Sequence, residues 1–103
     1  MTEMNQIERI EHFEKIFDET STAIENLSDA LEKYAAVQEK YFELMNYYGS
    51  GWLKDYESDE AGEFPKDLKR GVLSQDGVYN LLEKNRELQL EILKIFADIL
   101  HKE

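Results

Sequence analysis

No cysteine occurs among the 103 residues, which excludes a disulfide framework, a zinc–thiolate site and thiol catalysis. Proline occurs once and glycine five times, too little turn chemistry for an all-β fold. Basic residues are scarce: 12 Lys and Arg stand against 23 Asp and Glu, a formal net charge of −11. Direct binding to a phosphate backbone needs a basic surface that releases counterions, so no direct contact with nucleic acid is expected. No apolar run approaches the roughly 20 residues that cross a bilayer. A helix lying on a membrane would carry Lys and Arg on its polar face, and here that face is acidic. Glu3, Glu8, Glu11 and Glu14 are spread among isolated apolar positions, where a secretory signal would need a basic start and an apolar run. The expectation is a cytoplasmic protein without a membrane partner.

What is present is a 42% hydrophobic composition, enough for one small domain over residues 1–103, arranged with helical period. Ile10, Phe13, Phe17, Thr20, Ile24, Leu27, Leu31, Tyr34, Gln38, Tyr41, Met45 and Tyr48 follow alternating steps of three and four. These are heptad a and d positions. Ile16, Ala23, Ala30, Val37 and Leu44 widen the seam into a stripe, which suits a helix with more than one neighbour. The phase runs unbroken through residues 5–48 and favours one long helix. Thr22 and Glu25 form a rival signal, a capping box that could start a fresh helix after a break near residues 19–21. That alternative gives a three-helix bundle.

Residues 74–102 carry a second stripe: Val78, Leu82, Asn85, Gln89, Ile92, Phe96 and Ile99. Ser74 suits an N-cap, Asp76 the positive end of the helix dipole and Lys102 the negative end. Run antiparallel, the two stripes match where paired residue numbers sum to 123, setting Met45 with Val78, Leu31 with Ile92 and Gln38 with Asn85. A polar seam pair such as Gln38–Asn85 fixes register at some cost in stability. In that register Ile7, Ile10, Phe13, Ile16 and Phe17 have no partner, and leaving them in water costs about 1.5–3 kcal/mol each. A second copy of the chain is the simplest cover for a continuous helix. The expected fold is therefore all-α: an antiparallel hairpin of two long helices whose bundle is completed by dimerisation.

Between the helices, the connector 49–73 and its approach are rich in aromatics: Tyr41, Phe42, Tyr47, Tyr48, Trp52, Tyr56 and Phe64. Ser50 suits the cap of a short helix that sets Trp52 and Tyr56 one turn apart, and Gly62 suits its end. Tyr47, Tyr48, Trp52, Asp55, Tyr56, Lys69 and Arg70 are a candidate pocket; the alternative is a satellite core closing the end of the hairpin. A connector of this length is more often functional or packed than loose.

The run Tyr47-Tyr48-Gly49-Ser50, Trp52, Asp55, Asp59-Glu60, Gly62, Pro65 and Asp67-Leu68-Lys69-Arg70-Gly71-Val72-Leu73-Ser74 resembles a small bacterial family, domain of unknown function number 4298. Asp76, Tyr79, Leu82, Asn85 and Arg86 continue the pattern, while Gln75 and Gly77 depart from it at the start of the second helix. The resemblance implies a bacterial, cytoplasmic helical protein and transfers no catalytic residue.

The chemistry candidates are weak. Asp55, Glu57 and Asp59 alternate as in a calcium loop, but Glu60 and Lys66 stand where that loop needs glycine and a bidentate glutamate. His12 and His101 sit near the termini on helices rather than in a cleft. Gly49-Ser50-Gly51 lacks the length and the lysine of a phosphate loop. No nucleophile–base pair can be assembled, and no metal or cofactor is expected.

Charge has more order. Five successive b positions are acidic, Glu11, Asp18, Glu25, Glu32 and Glu39, on the face opposite the apolar stripe and about 10.5 Å apart. The bland account is a solvated face that maintains solubility. The sharper one is a row of negative charge that docks on a basic protein and blocks its nucleic-acid-binding surface. The expected function is a non-catalytic protein–protein interaction module. The alternatives are a small-molecule-binding protein or enzyme built on the connector, and a structural subunit that assembles only with itself.

Overall fold

The computed structural model describes residues 5–103, so Glu3 of the acidic start lies outside the described residues. Three α-helices follow in order: α1 (Gln6–Tyr48), α2 (Trp52–Glu60) and α3 (Gly77–Lys102), with a short 3-10 turn, Gly71–Leu73, before α3. The all-α class read from the heptads is the class observed. By contact the chain divides into two units, Met1–Glu43 and Leu44–Glu103.

The described part of the first unit is Asn5 and α1 as far as Glu43. This helix is a single run of 43 residues, about 65 Å at 1.5 Å per residue. Thr22 and Glu25 fall in its middle, so the break near residues 19–21, and the three-helix bundle that needed it, do not occur. An uninterrupted heptad phase outweighs a local capping signal. The cap that does operate lies at the start, where Asn5 Oδ1 accepts the Glu8 backbone N–H at 2.8 Å. Asn5 Nδ2 in turn donates to Glu8 Oε1 at 3.2 Å. The pair satisfies an orphan donor of the first turn and anchors a carboxylate at the positive end of the dipole.

The second unit is the last turn of α1, the connector and α3. Leu44, Met45, Tyr47 and Tyr48 are half-buried at the end of α1, and Leu82, Asn85, Ile92 and Phe96 along α3. Its core is small: Leu73 is 8% exposed and Val78 is 3% exposed. Both lie where the 3-10 turn leads into α3.

Two serines act differently from the expected caps. Ser50 Oγ donates back to the Asn46 carbonyl at 2.7 Å, so it closes α1 rather than opening α2, whose N-cap is Gly51. Ser74 Oγ donates to the Gly71 carbonyl at 2.8 Å, so it ends the 3-10 turn. Asp76 is the N-cap of α3, without a side-chain cap bond, and the helix starts at Gly77. Both hydroxyls meet carbonyls left over by a preceding turn, which is the competing use of serine near helix ends.

Gly62 ends α2 as expected. Its φ of +74° is left-handed, a conformation that costs other residues about 1–2 kcal/mol. It lets Gly62 N–H donate to the Asp59 carbonyl at 3.0 Å and Glu63 N–H to the Ser58 carbonyl at 3.1 Å. These are the two bonds of a Schellman cap.

Candidate functional site

Two surfaces carry the candidate residues: the connector in the second unit and the acidic row on α1.

In the connector, α2 and the end of α1 bring three rings together. Trp52 stacks on Tyr56 with centroids 5.0 Å apart and planes 17° apart, as residues one helical turn apart can. Tyr48 meets Trp52 edge-on at 5.1 Å. The indole Nε1 then donates to the Val72 carbonyl at 2.7 Å, joining α2 to the 3-10 turn across 20 residues.

The polar candidates bond to one another. The Tyr47 hydroxyl donates to Asp55 Oδ2 at 2.6 Å. That bond, with burial and the carboxylate's charge behind it, pushes the Tyr47 pKa up to about 12, because ionisation would set two anions face to face. Arg70 Nε donates to Asp59 Oδ1 at 2.9 Å. Its two remaining nitrogens donate to the Lys66 carbonyl at 3.1 Å and the Pro65 carbonyl at 2.7 Å. One guanidinium thus fastens the loop after Pro65 to α2 with three bonds in a fixed fork. Lys69, the candidate pocket residue next to Arg70, is exposed.

These contacts make the connector a satellite core with a bonded rim. One cavity, of about 300 Å³, is open and lined by Leu44, Gly71, Val72, Gly77, Val78 and Leu81. None of Tyr47, Tyr48, Trp52, Asp55, Tyr56, Lys69 or Arg70 lines it. Sequence reasoning missed this apolar hollow. The only sign of it was the pairing of small residues, Gly71 and Gly77, with apolar neighbours in the stretch that was assigned to a cap.

On α1, Glu11, Asp18, Glu25, Glu32 and Glu39 are all exposed, as one heptad position on an unbroken helix must be. Of the register pair, Gln38 is half-buried and its Nε2 donates to the Tyr34 carbonyl at 3.5 Å, while Asn85 is half-buried on α3. Further apolar residues on α3, outside the expected stripe, also face solvent: Leu90, Leu93 and Leu100 are exposed. Their steps of three and seven were legible as a second stripe.

Among the described residues no group of three or more His, Cys, Asp or Glu is placed to hold a metal ion. Among them, too, no helix is long and apolar enough to cross a membrane. Neither the curated proteins nor the solved structures contain a match to this chain. One family model does match, over residues 10–95, which takes in most of α1, the whole connector and most of α3. The chain belongs to the family described as Domain of unknown function (DUF4298).

Proposed function

We propose that this chain is a non-catalytic, cytoplasmic protein-interaction module of bacterial type that works through the acidic face of α1. The observation that carries the reading is the row Glu11, Asp18, Glu25, Glu32 and Glu39, exposed on one face of a single continuous helix. A row of carboxylates about 10.5 Å apart, winding about 20° per heptad, suits a basic groove shaped for a phosphate backbone. Occupying that groove blocks a nucleic-acid-binding partner. The connector supports a non-catalytic role, since Tyr47, Asp55, Asp59 and Arg70 hold one another.

Charge steering of this kind raises the rate of encounter and weakens with salt. The test compares the protein with a variant carrying Glu25→Lys, Glu32→Lys and Glu39→Lys, each immobilised against nuclease-treated bacterial lysate and eluted by a salt gradient. A basic nucleic-acid-binding protein that is retained by the unaltered chain, lost by the variant and displaced by its own nucleic acid supports the reading. Retention by both chains with the same salt dependence refutes it.

A further inference from the structure

The other side of α1 presents a different surface. Eight large apolar side chains between Ile7 and Leu31 are 38–69% exposed. Two of the eight, Phe13 and Phe17, present rings of about 150–250 Å² each when fully open, and the eight together expose apolar area on the order of the roughly 800 Å² that each partner gives to a stable interface. The stripe is therefore large enough to form one side of an interface.

We propose that a second copy of this chain covers it, with the two α1 helices antiparallel about a two-fold axis beside Asp18 and Glu19. That point is the middle of the eight side chains between Ile7 and Leu31; Val37 and Phe42, also exposed on α1, lie beyond them. Two copies related there overlap over residues 6–31. In this register Ile10 meets Leu27 of the second copy, Phe13 meets Ile24 and Phe17 meets Thr20. Ile16 falls beside Ala23. At the centre of the seam large residues face smaller ones, Phe17 against Thr20 and Ile16 beside Ala23, which helps fill the interhelical space without voids. A parallel pair would instead set Phe17 on Phe17 and Thr20 on Thr20, and would align the two helix dipoles unfavourably.

Charge is compatible with a second copy. The acidic row lies opposite the stripe, so pairing turns both rows outward, away from the seam. This interface is independent of the proposed docking face, and the two respond oppositely to salt. Screening relaxes the repulsion between two chains of net charge −11 and tightens the dimer, whereas it loosens an acidic row from a basic partner.

Sedimentation equilibrium of the unaltered chain, from about 1 mM to about 1 µM, is the first measurement. Two chains per particle are expected, with tighter association on going from about 0.05 M to about 0.5 M salt. A mass of one chain throughout, or of more than two, overturns the proposal, and in the first case the stripe serves a different partner. Phe17→Glu is expected to raise the dimer dissociation constant about 100-fold or more while leaving the helical ellipticity in place. An unchanged constant overturns it.

Orientation is read from thiols, since the natural chain has none. Chains carrying Ile10→Cys and chains carrying Leu27→Cys are expected to cross-link under mild oxidation when mixed. Cross-linking of Ile10→Cys chains with themselves, at the expense of the mixed product, overturns the antiparallel arrangement. The acidic-face variant of the preceding test keeps this dimer, so the two readings fail separately.

Discussion

Gly77→Ala tests the account of how α3 begins. Glycine is a poor helix former, and alanine in its place gains up to about 1 kcal/mol in a helix interior, less at the first helical residue. Here the added Cβ meets the Ser74 hydroxyl within contact distance and the Gly71 carbonyl at 2.7 Å. The Ser74–Gly71 hydrogen bond at 2.8 Å must yield, at about 1 kcal/mol. Crowding against backbone that cannot rotate away adds about 1–3 kcal/mol. The loss exceeds the gain, and the net expectation is destabilisation by about 1–3 kcal/mol, read as a lower urea midpoint by ellipticity at one fixed chain concentration. Gly71→Ala is the control: a Cβ there meets nothing within 4 Å, so stability stays within about 0.5 kcal/mol or rises as the unfolded chain loses freedom. Adding Ser74→Ala to Gly77→Ala removes the hydroxyl contact but not the carbonyl, and restores only part of the loss. A Gly77→Ala protein as stable as the unaltered one refutes the reasoning.

Tyr47, pushed up to about 12 by Asp55 from an ordinary 10.0, keeps its proton longer in the folded chain than in the unfolded one. Its contribution to stability is therefore complete below about pH 10 and lost as pH climbs from there through about 12. An ultraviolet absorbance titration should show late tyrosines, Tyr47 and also Tyr79, which its hydrogen bond to Glu83 raises. Asp55→Asn should move only the Tyr47 part down, so a titration that Asp55→Asn leaves unchanged refutes the bond. Arg70→Lys replaces a fork that holds Asp59 and two carbonyls with a single ammonium; we expect a loss of about 1–2 kcal/mol and faster amide exchange over residues 65–73, and unchanged exchange there counts against the clamp.

How much of this was legible in the sequence differs by element. The long helix was, because its signal is periodic and repeats over 43 residues. The rival capping box, Thr22 with Glu25, lies mid-helix, while the working box, Asn5 with Glu8, stood unremarked at the true start. Both have the same spacing, and only the surrounding phase tells them apart. Ser50 and Ser74 were misplaced for a related reason: a hydroxyl near a helix boundary serves a preceding carbonyl as readily as a following N–H. In the connector, composition correctly drew attention to the aromatics. It did not reveal that Trp52 reaches Val72, nor that Arg70 wraps the Pro65 and Lys66 carbonyls, because those contacts depend on the path of the chain between them. The acidic row needed nothing beyond a continuous helix, and so its exposure could be read in advance.

The ring cluster has an optical consequence. All six tyrosines and the one tryptophan lie at or after Tyr34, and Trp52 sits within about 5 Å of two of them, at 5.0 Å from Tyr56 and 5.1 Å from Tyr48. Excitation of those tyrosines drains into the indole, and the fixed angles between the rings give it an asymmetric environment. The chain therefore carries its tyrosines and its tryptophan from Tyr34 onward and none along residues 5–33, where Phe13 and Phe17 absorb only weakly. Tyrosine and tryptophan signals describe the chain from Tyr34 onward alone, while far-ultraviolet ellipticity is dominated by α1 and α3. Two events at opposite ends of α1 can be watched separately in one unlabelled sample.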